Sequence, residues 1–190
     1  MIKIGITGNI ACGKSTAFEI LKAYDYSVID CDDIIKELYS NIDFIIQVQK
    51  IFPQIISDKK INLKELSNRL FTDSDFKKKY EEFIFPKVKK EINNYFDKNM
   101  HNDKVFVIVP LLYEAKFETL FDKIIFISAE ENIRKQRLIS RGSLLSNMAE
   151  KVINAQRDEK EKISRSDYVI KNNGTLSEFR HAVNLTLKKL

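Results

Sequence analysis

The first residues able to do chemistry form a glycine-bounded segment near the start of the chain. Residues 8 to 16 read Gly-Asn-Ile-Ala-Cys-Gly-Lys-Ser-Thr, which matches the pattern GxxxxGK[ST]. Such a loop turns its backbone N–H groups inward around a polyphosphate, its lysine reaches the β- and γ-phosphates, and its serine binds Mg²⁺. The pattern therefore predicts a nucleoside triphosphate site. The residues predicted to bind it are Gly8, Asn9, Ile10, Ala11, Cys12, Gly13, Lys14, Ser15 and Thr16.

Three acids, Asp30, Asp32 and Asp33, follow the second apolar segment. Carboxylates at the end of a parallel strand face the ligand crevice, where they can hold Mg²⁺ through water or accept a proton from a hydroxyl nucleophile. They also suit the N-terminus of a following helix. We expect both uses, with Asp33 closer to the cap and Asp32 closer to the chemistry. Many proteins with this type of phosphate loop have a metal-binding acid at the end of a neighbouring strand. Val109 and Pro110 occupy that place in this sequence, and so Asp30 is the predicted metal ligand.

Arg134, Arg137 and Arg141 recur at i, i+3 and i+7, and so they share one face of a helix. Guanidinium groups bind phosphate oxygens and stabilise charge on a transferring phosphoryl group, although a solvated basic face shows the same spacing. We predict that Arg137 contacts ATP and that Arg141 is catalytic.

Two amide side chains, Asn172 and Asn173, follow the last apolar segment in a turn that ends at Gly174. They are able to hydrogen-bond the edge of an adenine, and we predict that they contribute to the nucleotide site. A purely structural turn accounts for the same residues equally well.

Five short apolar runs predict the strands that position these residues. They are almost continuously hydrophobic, as in a parallel sheet covered on both faces, and helical stretches separate them. The fold class is therefore α/β. The predicted strands are 2–7, 26–30, 105–109, 123–128 and 168–171, and a predicted helix covers 15–24.

Two segments between the strands are too long to be simple crossovers. Residues 34–103 carry helical periodicity and predict a helical insertion over the edge of the sheet where ligands bind. Residues 141–164 suit a small helical lid. The chain would then be a single domain, with a core made of residues 1–33, 104–140 and 165–190.

The composition is that of a globular protein, with 190 residues, 44% hydrophobic residues and a net charge of +5. No apolar run approaches the ~20 residues that span a bilayer, and two cysteines with no apparent leader fit a cytoplasmic protein. Glutamates alternate with the lysines of residues 77–91, so we expect no nucleic-acid partner. We also expect no membrane partner, and we favour a monomer.

Four motifs together resemble the dephospho-CoA kinase family. They lie at residues 7–16, 28–32, 109–114 and 166–174, and with Ala155-Gln156 they extend nearly from end to end. The resemblance implies a P-loop kinase core with a five-stranded parallel sheet, a helical acceptor-binding insertion and a lid. It implies transfer of phosphate from ATP, with Mg²⁺, to the ribose 3′-hydroxyl of dephospho-CoA, giving coenzyme A and ADP. The acceptor would contact Asp32, Pro86, Leu111, Leu112 and Glu114.

The sequence departs from this family's usual pattern on the acceptor side. Phe85, directly before Pro86, stands where the family has a histidine, and Leu63-Lys64 stands where it tends to have an arginine. Another P-loop kinase for a nucleoside or nucleotide is the alternative, followed by a regulatory GTPase or a nucleic-acid-stimulated ATPase. The chain lacks an Asn-Lys-x-Asp run for guanine.

Cys12 lies within the phosphate loop, and Cys31 lies between two acids. Because the thiol of Cys12 precedes a helix, we expect its pKa to be lowered. We therefore predict that alkylation of this thiol inactivates the protein and that MgATP protects it. One intervening strand should keep the two cysteines too far apart for a disulfide.

Overall fold

The computed structural model describes residues 1–140, 153 and 159–190. The chain divides into two compact units, one made of residues 1–30 and 96–190 and the other of residues 31–95. Residues 141–152 and 154–158 of the segment predicted as a lid, with Arg141 among them, lie outside the described residues. None of the described helices is both long enough and apolar enough to cross a membrane.

Seven strands and eight helices are numbered here in chain order within the described residues, with 3₁₀ turns at Pro53–Ile55 and Glu118–Leu120. They are β1 (Ile2–Thr7), α1 (Lys14–Ala23), β2 (Ser27–Asp30), α2 (Cys31–Ser40), α3 (Ile42–Ile51), β3 (Ile56–Ser57), β4 (Lys60–Ile61), α4 (Leu63–Thr72), α5 (Ser74–Lys98), β5 (Lys104–Ile108), β6 (Lys123–Ser128), α6 (Glu131–Ser140), α7 (Glu159–Ser164), β7 (Tyr168–Lys171) and α8 (Leu176–Leu187).

A five-stranded parallel sheet with the order β2-β5-β1-β6-β7 forms the centre of the first unit. The prediction of an α/β fold with this sheet is confirmed, and each strand ends within one residue of its predicted end. Strands β5 and β6 are buried along most of their length, as their continuous apolar sequences require. Helices α1 and α8 pack against the sheet through the buried side chains Ala17, Ile20, Leu21, Phe179, Val183 and Leu187.

The second unit is mainly helical. Its core is a cluster of aromatic rings in which Phe52 contacts Phe76, Tyr80 and Phe83 with ring centroids 5.4 to 5.6 Å apart. Phe76, Tyr80 and Phe83 lie in α5, in agreement with the helical periodicity predicted for residues 34–103. The antiparallel pair β3–β4 was not predicted, because its strands have two residues each and offer no alternating pattern to read.

Helix α2 begins at Cys31, one residue after the end of β2. Asp32 and Asp33 therefore both lie inside its first turn, and the expectation that Asp33 caps the helix is wrong. Carboxylates in the first turn still interact favourably with the helix dipole, by about 0.3–1 kcal/mol each.

Candidate active site

The loop between β1 and α1 has the backbone shape of a phosphate-binding cradle. Ala11 has a φ of 59°, and Gly8 and Gly13 have φ values of 154° and 111°. A Cβ atom on Gly8 would lie 2.3 Å from the carbonyl oxygen of Ile127, and one on Gly13 would lie 2.2 Å from Nδ2 of Asn172. Both positions therefore require glycine on grounds of space as well as conformation.

Positive charge is concentrated where the loop enters α1. The ammonium group of Lys14 donates hydrogen bonds to the carbonyl oxygens of Gly8, at 2.7 Å, and Asn9, at 3.1 Å. Helix α1 has no acid in its first turn, and no described side chain caps its N-terminus. Its first N–H groups and its dipole are therefore available to an anion.

Arg137 and Asn172 form hydrogen bonds with the phosphate loop and with each other. Nη2 of Arg137 lies 3.0 Å from the carbonyl oxygen of Asn172, and its Nη1 lies 3.4 Å from that of Ala11. Nδ2 of Asn172 donates to the carbonyl oxygen of Cys12 at 2.8 Å. Arg137, a predicted ATP contact, thus lies beside the phosphate loop, while the amide of Asn172 is engaged in shaping it.

A small cavity of about 140 Å³ adjoins these groups. The cavity is lined by Gly13, Thr16, Arg137, Asn172, Gly174, Leu176 and Phe179. Asn173, the residue after Asn172, is hydrogen-bonded to Glu130. Its side-chain amide accepts from the N–H of Glu130 at 2.9 Å and donates to the carboxylate of Glu130 at 2.9 Å. The position of the cavity next to the loop and its mixture of apolar and polar walls suit part of a ligand that binds at the loop.

Asn9 connects the loop to α7, a contact that sequence reasoning missed. Its Nδ2 donates to Oε2 of Glu159 at 3.2 Å, and the other carboxylate oxygen of Glu159 accepts from the hydroxyl of Ser128. Arg134 lies 3.9 Å from the same carboxylate and donates to the carbonyl oxygen of Ala129. Arg134 is buried and acts within this network. A separation of 150 residues leaves no local signal for such a contact.

The predicted metal ligands, Ser15 and Asp30, lie at the start of α1 and at the end of β2. Asp30 aligns with Ile108 of β5, which aligns with Ile6 of β1, so its Cα lies about 10 Å from β1 across two strand spacings. No group of three acids, histidines or cysteines able to hold a metal occurs in the described part of the chain. A hydroxyl and a carboxylate nevertheless fit Mg²⁺, which takes few protein ligands beside water and phosphate.

The residues assigned to the acceptor by resemblance have different environments. Leu111 is half exposed, whereas Leu112 is fully buried. The side chain of Leu112 thus packs in the core, and the acceptor contact assigned to this residue stays a prediction. Pro86 is exposed inside α5, and Asp32 is exposed in α2 of the second unit.

Glu114 forms an ion pair with Lys162, with its Oε1 2.7 Å from the ammonium. Oε2 of Glu114 is buried and has no hydrogen-bond partner among the described residues. The partner Lys162 is buried, whereas the Glu114 side chain is 27% exposed, so the pair lies at the border of the interior of the first unit. No feature of the sequence around Lys162 indicated that this lysine would be an internal partner.

The environment of Cys12 overturns the expectation of an activated thiol. Its side chain is completely buried, and burial raises the pKa of the thiol above its ordinary value despite the opposing charge of Lys14. Cys31 is also buried, and both cysteines are free thiols.

Comparison with known proteins places this geometry in a family. The model of the dephospho-CoA kinase family matches residues 2–178. A dephospho-CoA kinase of Rickettsia typhi is 32% identical over 190 residues, covering 100% of this chain and 98% of that protein. One from Fusobacterium nucleatum is 34% identical over 179 residues, covering 92% and 91%.

A solved structure with a similar fold is dephospho-CoA kinase from Campylobacter jejuni. It has 29% sequence identity and a TM-score of 0.73, and the match covers 98% of this chain and 96% of that one. The similarity therefore extends over the phosphate loop, the sheet and the helical second unit alike. The chain belongs to the dephospho-CoA kinase family, whose members phosphorylate dephospho-CoA with ATP in coenzyme A biosynthesis.

Proposed function

We propose that this chain transfers the γ-phosphoryl group of ATP to the ribose 3′-hydroxyl of dephospho-CoA, with coenzyme A and ADP as products. The phosphate loop, with Gly8 and Gly13 required by space and Lys14 inside the loop, is the observation that carries the donor side. Family membership supports the acceptor. It favours dephospho-CoA over the acceptors of other nucleotide kinases, and kinase chemistry over a regulatory GTPase or a nucleic-acid-stimulated ATPase.

ATP binding uses the groups around the loop. Backbone N–H groups and the N-terminus of α1 surround the β- and γ-phosphates, and Lys14 moves its ammonium from the loop carbonyls to the phosphates. The guanidinium of Arg137 lies at the wall of the neighbouring cavity, which is the proposed site of the adenine. Asn172 fixes the position of this cavity wall relative to the loop, because its side chain donates a hydrogen bond to the carbonyl oxygen of Cys12.

The hydroxyl of Ser15 and the carboxylate of Asp30, the latter through water, would hold Mg²⁺. When bound, the ion neutralises charge on the phosphate oxygens and keeps the transferring group in line. Lys14 contributes a fixed positive charge to the same oxygens. Arg141 is proposed as a further cation at the transferring group, by resemblance and by its place at the end of the arginine series.

Asp32 is proposed to orient the ribose 3′-hydroxyl and to accept its proton. A carboxylate is too weak a base to deprotonate an alcohol in advance. In a loose transition state the proton is transferred late, when the attacking oxygen has become far more acidic. A carboxylate held at hydrogen-bond distance is then sufficient.

We propose a monomer that works in the cytoplasm, without a nucleic-acid or membrane partner. Two free thiols suit a reducing compartment. The basic balance of the chain suits polyphosphate substrates.

A panel of acceptors under one coupled assay tests the proposed reaction. With ATP and Mg²⁺ held constant, kcat/KM for dephospho-CoA should exceed the values for adenosine, AMP and CMP by about 100-fold or more. Comparable rates with AMP or CMP would instead identify a general nucleotide kinase.

Paired substitutions in α2 test the role of Asp32. Asp32→Asn should lower kcat by about 10²–10⁴-fold while leaving the affinity for ATP nearly unchanged. Glu37→Gln is the matched control, because Glu37 is an exposed carboxylate of the same helix. Near-normal turnover of Asp32→Asn would remove Asp32 from the mechanism.

A further inference from the structure

We propose that a cavity of the second unit binds the diphosphate and pantetheine arm of dephospho-CoA, with Lys59 and Lys60 as its anion-binding residues. This inference rests on the proposed function, because it assigns part of the acceptor to a specific place. It concerns recognition of the acceptor and makes no change to the chemistry at the phosphate loop.

The cavity has a volume of about 580 Å³ and combines cationic and apolar walls. Lys59 and Lys60 contribute positive charge, Lys36 is paired with Asp33 at 2.7 Å, and Ile42, Ile45 and Leu63 contribute apolar surface. Ile42 is 74% exposed and Leu63 is 60% exposed, which is unusual for large aliphatic side chains lining one depression. A ligand that fits both features carries an anionic group joined to an extended, weakly polar chain.

The charge of the lining residues favours this cavity over a second cavity of the same unit as the site of a diphosphate. No acidic side chain of the described residues lines it. A second cavity in the same unit, of about 730 Å³, places Asp73, Asp75 and Glu82 beside Arg69 and Lys79, and its excess of carboxylates opposes a diphosphate. Tyr39, which lines the lysine cavity, stays neutral because burial raises its pKa, and so it adds no repulsion.

The lysine cavity lies along the helix that carries Asp32. Asp32, Lys36 and Tyr39 follow one another at i, i+4 and i+7 and therefore share one face of α2. One helical turn covers about 5.4 Å. A substrate whose ribose is held at Asp32 can thus extend its 5′-diphosphate along α2 towards Lys36 and the β3–β4 turn.

The backbone of that turn is strained at the proposed anion-binding residue. Asp58 has a φ of 50° and Lys59 a φ of 59°, so both central residues of a two-residue turn occupy the left-handed region. Glycine is the residue that adopts this conformation at least cost, and asparagine-glycine is the usual choice. A strained lysine facing a cavity is a pattern found at ligand sites.

The positive charges of Lys59 and Lys60 are also not paired with a carboxylate of the described residues. Among the described residues, neither Lys59 nor Lys60 has an ion pair or a side-chain hydrogen bond. Both side chains are exposed at the cavity. They are therefore able to bind phosphate oxygens without first leaving a partner.

The test is a double variant, Lys59→Gly with Lys60→Gln, analysed by kinetics and by direct titration of dephospho-CoA. The KM and the Kd for dephospho-CoA should rise by about tenfold, since two charge-assisted bonds are lost. kcat at saturating acceptor and the KM for ATP should not change. The single variant Lys59→Gly should raise the melting temperature while it weakens binding of dephospho-CoA, because it relieves strain and removes charge together.

Two controls separate strain from charge. Asp25→Gly relieves a φ of 59° in the first unit, so it should raise the melting temperature without changing the KM for dephospho-CoA. Lys188→Gln removes an exposed lysine just after α8 and should change neither quantity.

The outcomes distinguish this inference from the proposed function. Wild-type affinity of the double variant for dephospho-CoA would overturn the cavity assignment while the proposed reaction stands. An equal loss of affinity for ATP would overturn it as well, because the effect would then not be specific to the acceptor. Absence of dephospho-CoA phosphorylation by the unmodified protein would instead refute the proposed function, and the assignment with it.

Discussion

Arg137 and Asn172 are joined at two atoms of the asparagine. Nη2 of the arginine lies 3.0 Å from the backbone oxygen of Asn172 and 3.3 Å from its side-chain oxygen. The remaining side-chain nitrogen of Asn172 donates to the carbonyl oxygen of Cys12, 160 positions earlier in the chain. The shape of the phosphate loop thus depends on a turn near the C-terminus.

Asn172→Ala should therefore weaken both the fold and nucleotide binding. It leaves a buried carbonyl of the loop without its donor, which costs about 1–3 kcal/mol of unfolding free energy. The affinity for MgATP should fall by about tenfold as the loop loses its shape. Urea denaturation and calorimetric titration measure the two effects. Asn132→Ala, at an exposed position of α6, should show neither, and an unchanged MgATP affinity in Asn172→Ala would contradict the role given to Asn172.

The ion pair of Glu114 and Lys162 should behave as a partly buried pair. The Lys162 side chain is 7% exposed and that of Glu114 is 27% exposed, so Lys162→Met leaves a partly buried carboxylate without its cation, at a cost of about 1–3 kcal/mol. Adding Glu114→Gln should recover part of that loss, and a double-mutant cycle in urea measures the coupling. Strictly additive effects would show that the pair is not coupled. A rise in the KM for dephospho-CoA in Glu114→Gln alone would support the predicted acceptor contact.

Cys12 should resist alkylation in the native protein. Its thiol is fully buried and its pKa is raised by burial, so little thiolate is present or accessible at neutral pH. Treatment with iodoacetamide should leave kinase activity nearly intact over a time in which both thiols react in urea. Mass spectrometry of the modified protein locates the label. Rapid labelling of Cys12, with loss of activity that MgATP prevents, would restore the expectation drawn from sequence.

Asp167 should make the stability of the first unit depend on pH in acid. Burial alone would raise the pKa of this carboxyl, but hydrogen bonds from the Ile124 N–H, at 2.8 Å, and from Lys123, at 2.9 Å, outweigh it and lower the pKa. Because the folded-state pKa lies below the unfolded value near ~3.9, the stabilisation is present above about pH 4 and is lost as pH falls through the folded-state pKa.

Asp167→Asn should accordingly melt a few degrees below the unmodified protein at pH 7, and the two should converge towards about pH 2. Scanning calorimetry across this range measures the difference. Asp103→Asn, which alters an exposed side chain before β5, should follow the unmodified protein at every pH. A constant difference between Asp167→Asn and the unmodified protein down to the lowest pH would exclude the assigned titration.

The structural elements that depend on neighbouring residues could be predicted from the sequence. The strands follow from continuous apolar runs, and the phosphate loop follows from the spacing of Gly8, Gly13 and Lys14. The β3–β4 pair escaped prediction because four paired residues carry too little pattern. The contacts of Glu159 with Asn9 and of Lys162 with Glu114 were not predicted. In each pair the two residues lie far apart in the sequence, and no pattern near either residue indicates the contact.

By itself the sequence determined the α/β class, the order of strands and helices along the chain, and the phosphate loop with its attached chemistry. These depend on neighbouring residues and on turns that only glycine fits. Only the tertiary structure decided that Leu112 and Cys12 are buried, that Arg134 and Asn172 are engaged inside the protein, and that three lysines line one cavity. Burial and long-range hydrogen bonds arise from the packing of distant segments, which local sequence patterns do not contain.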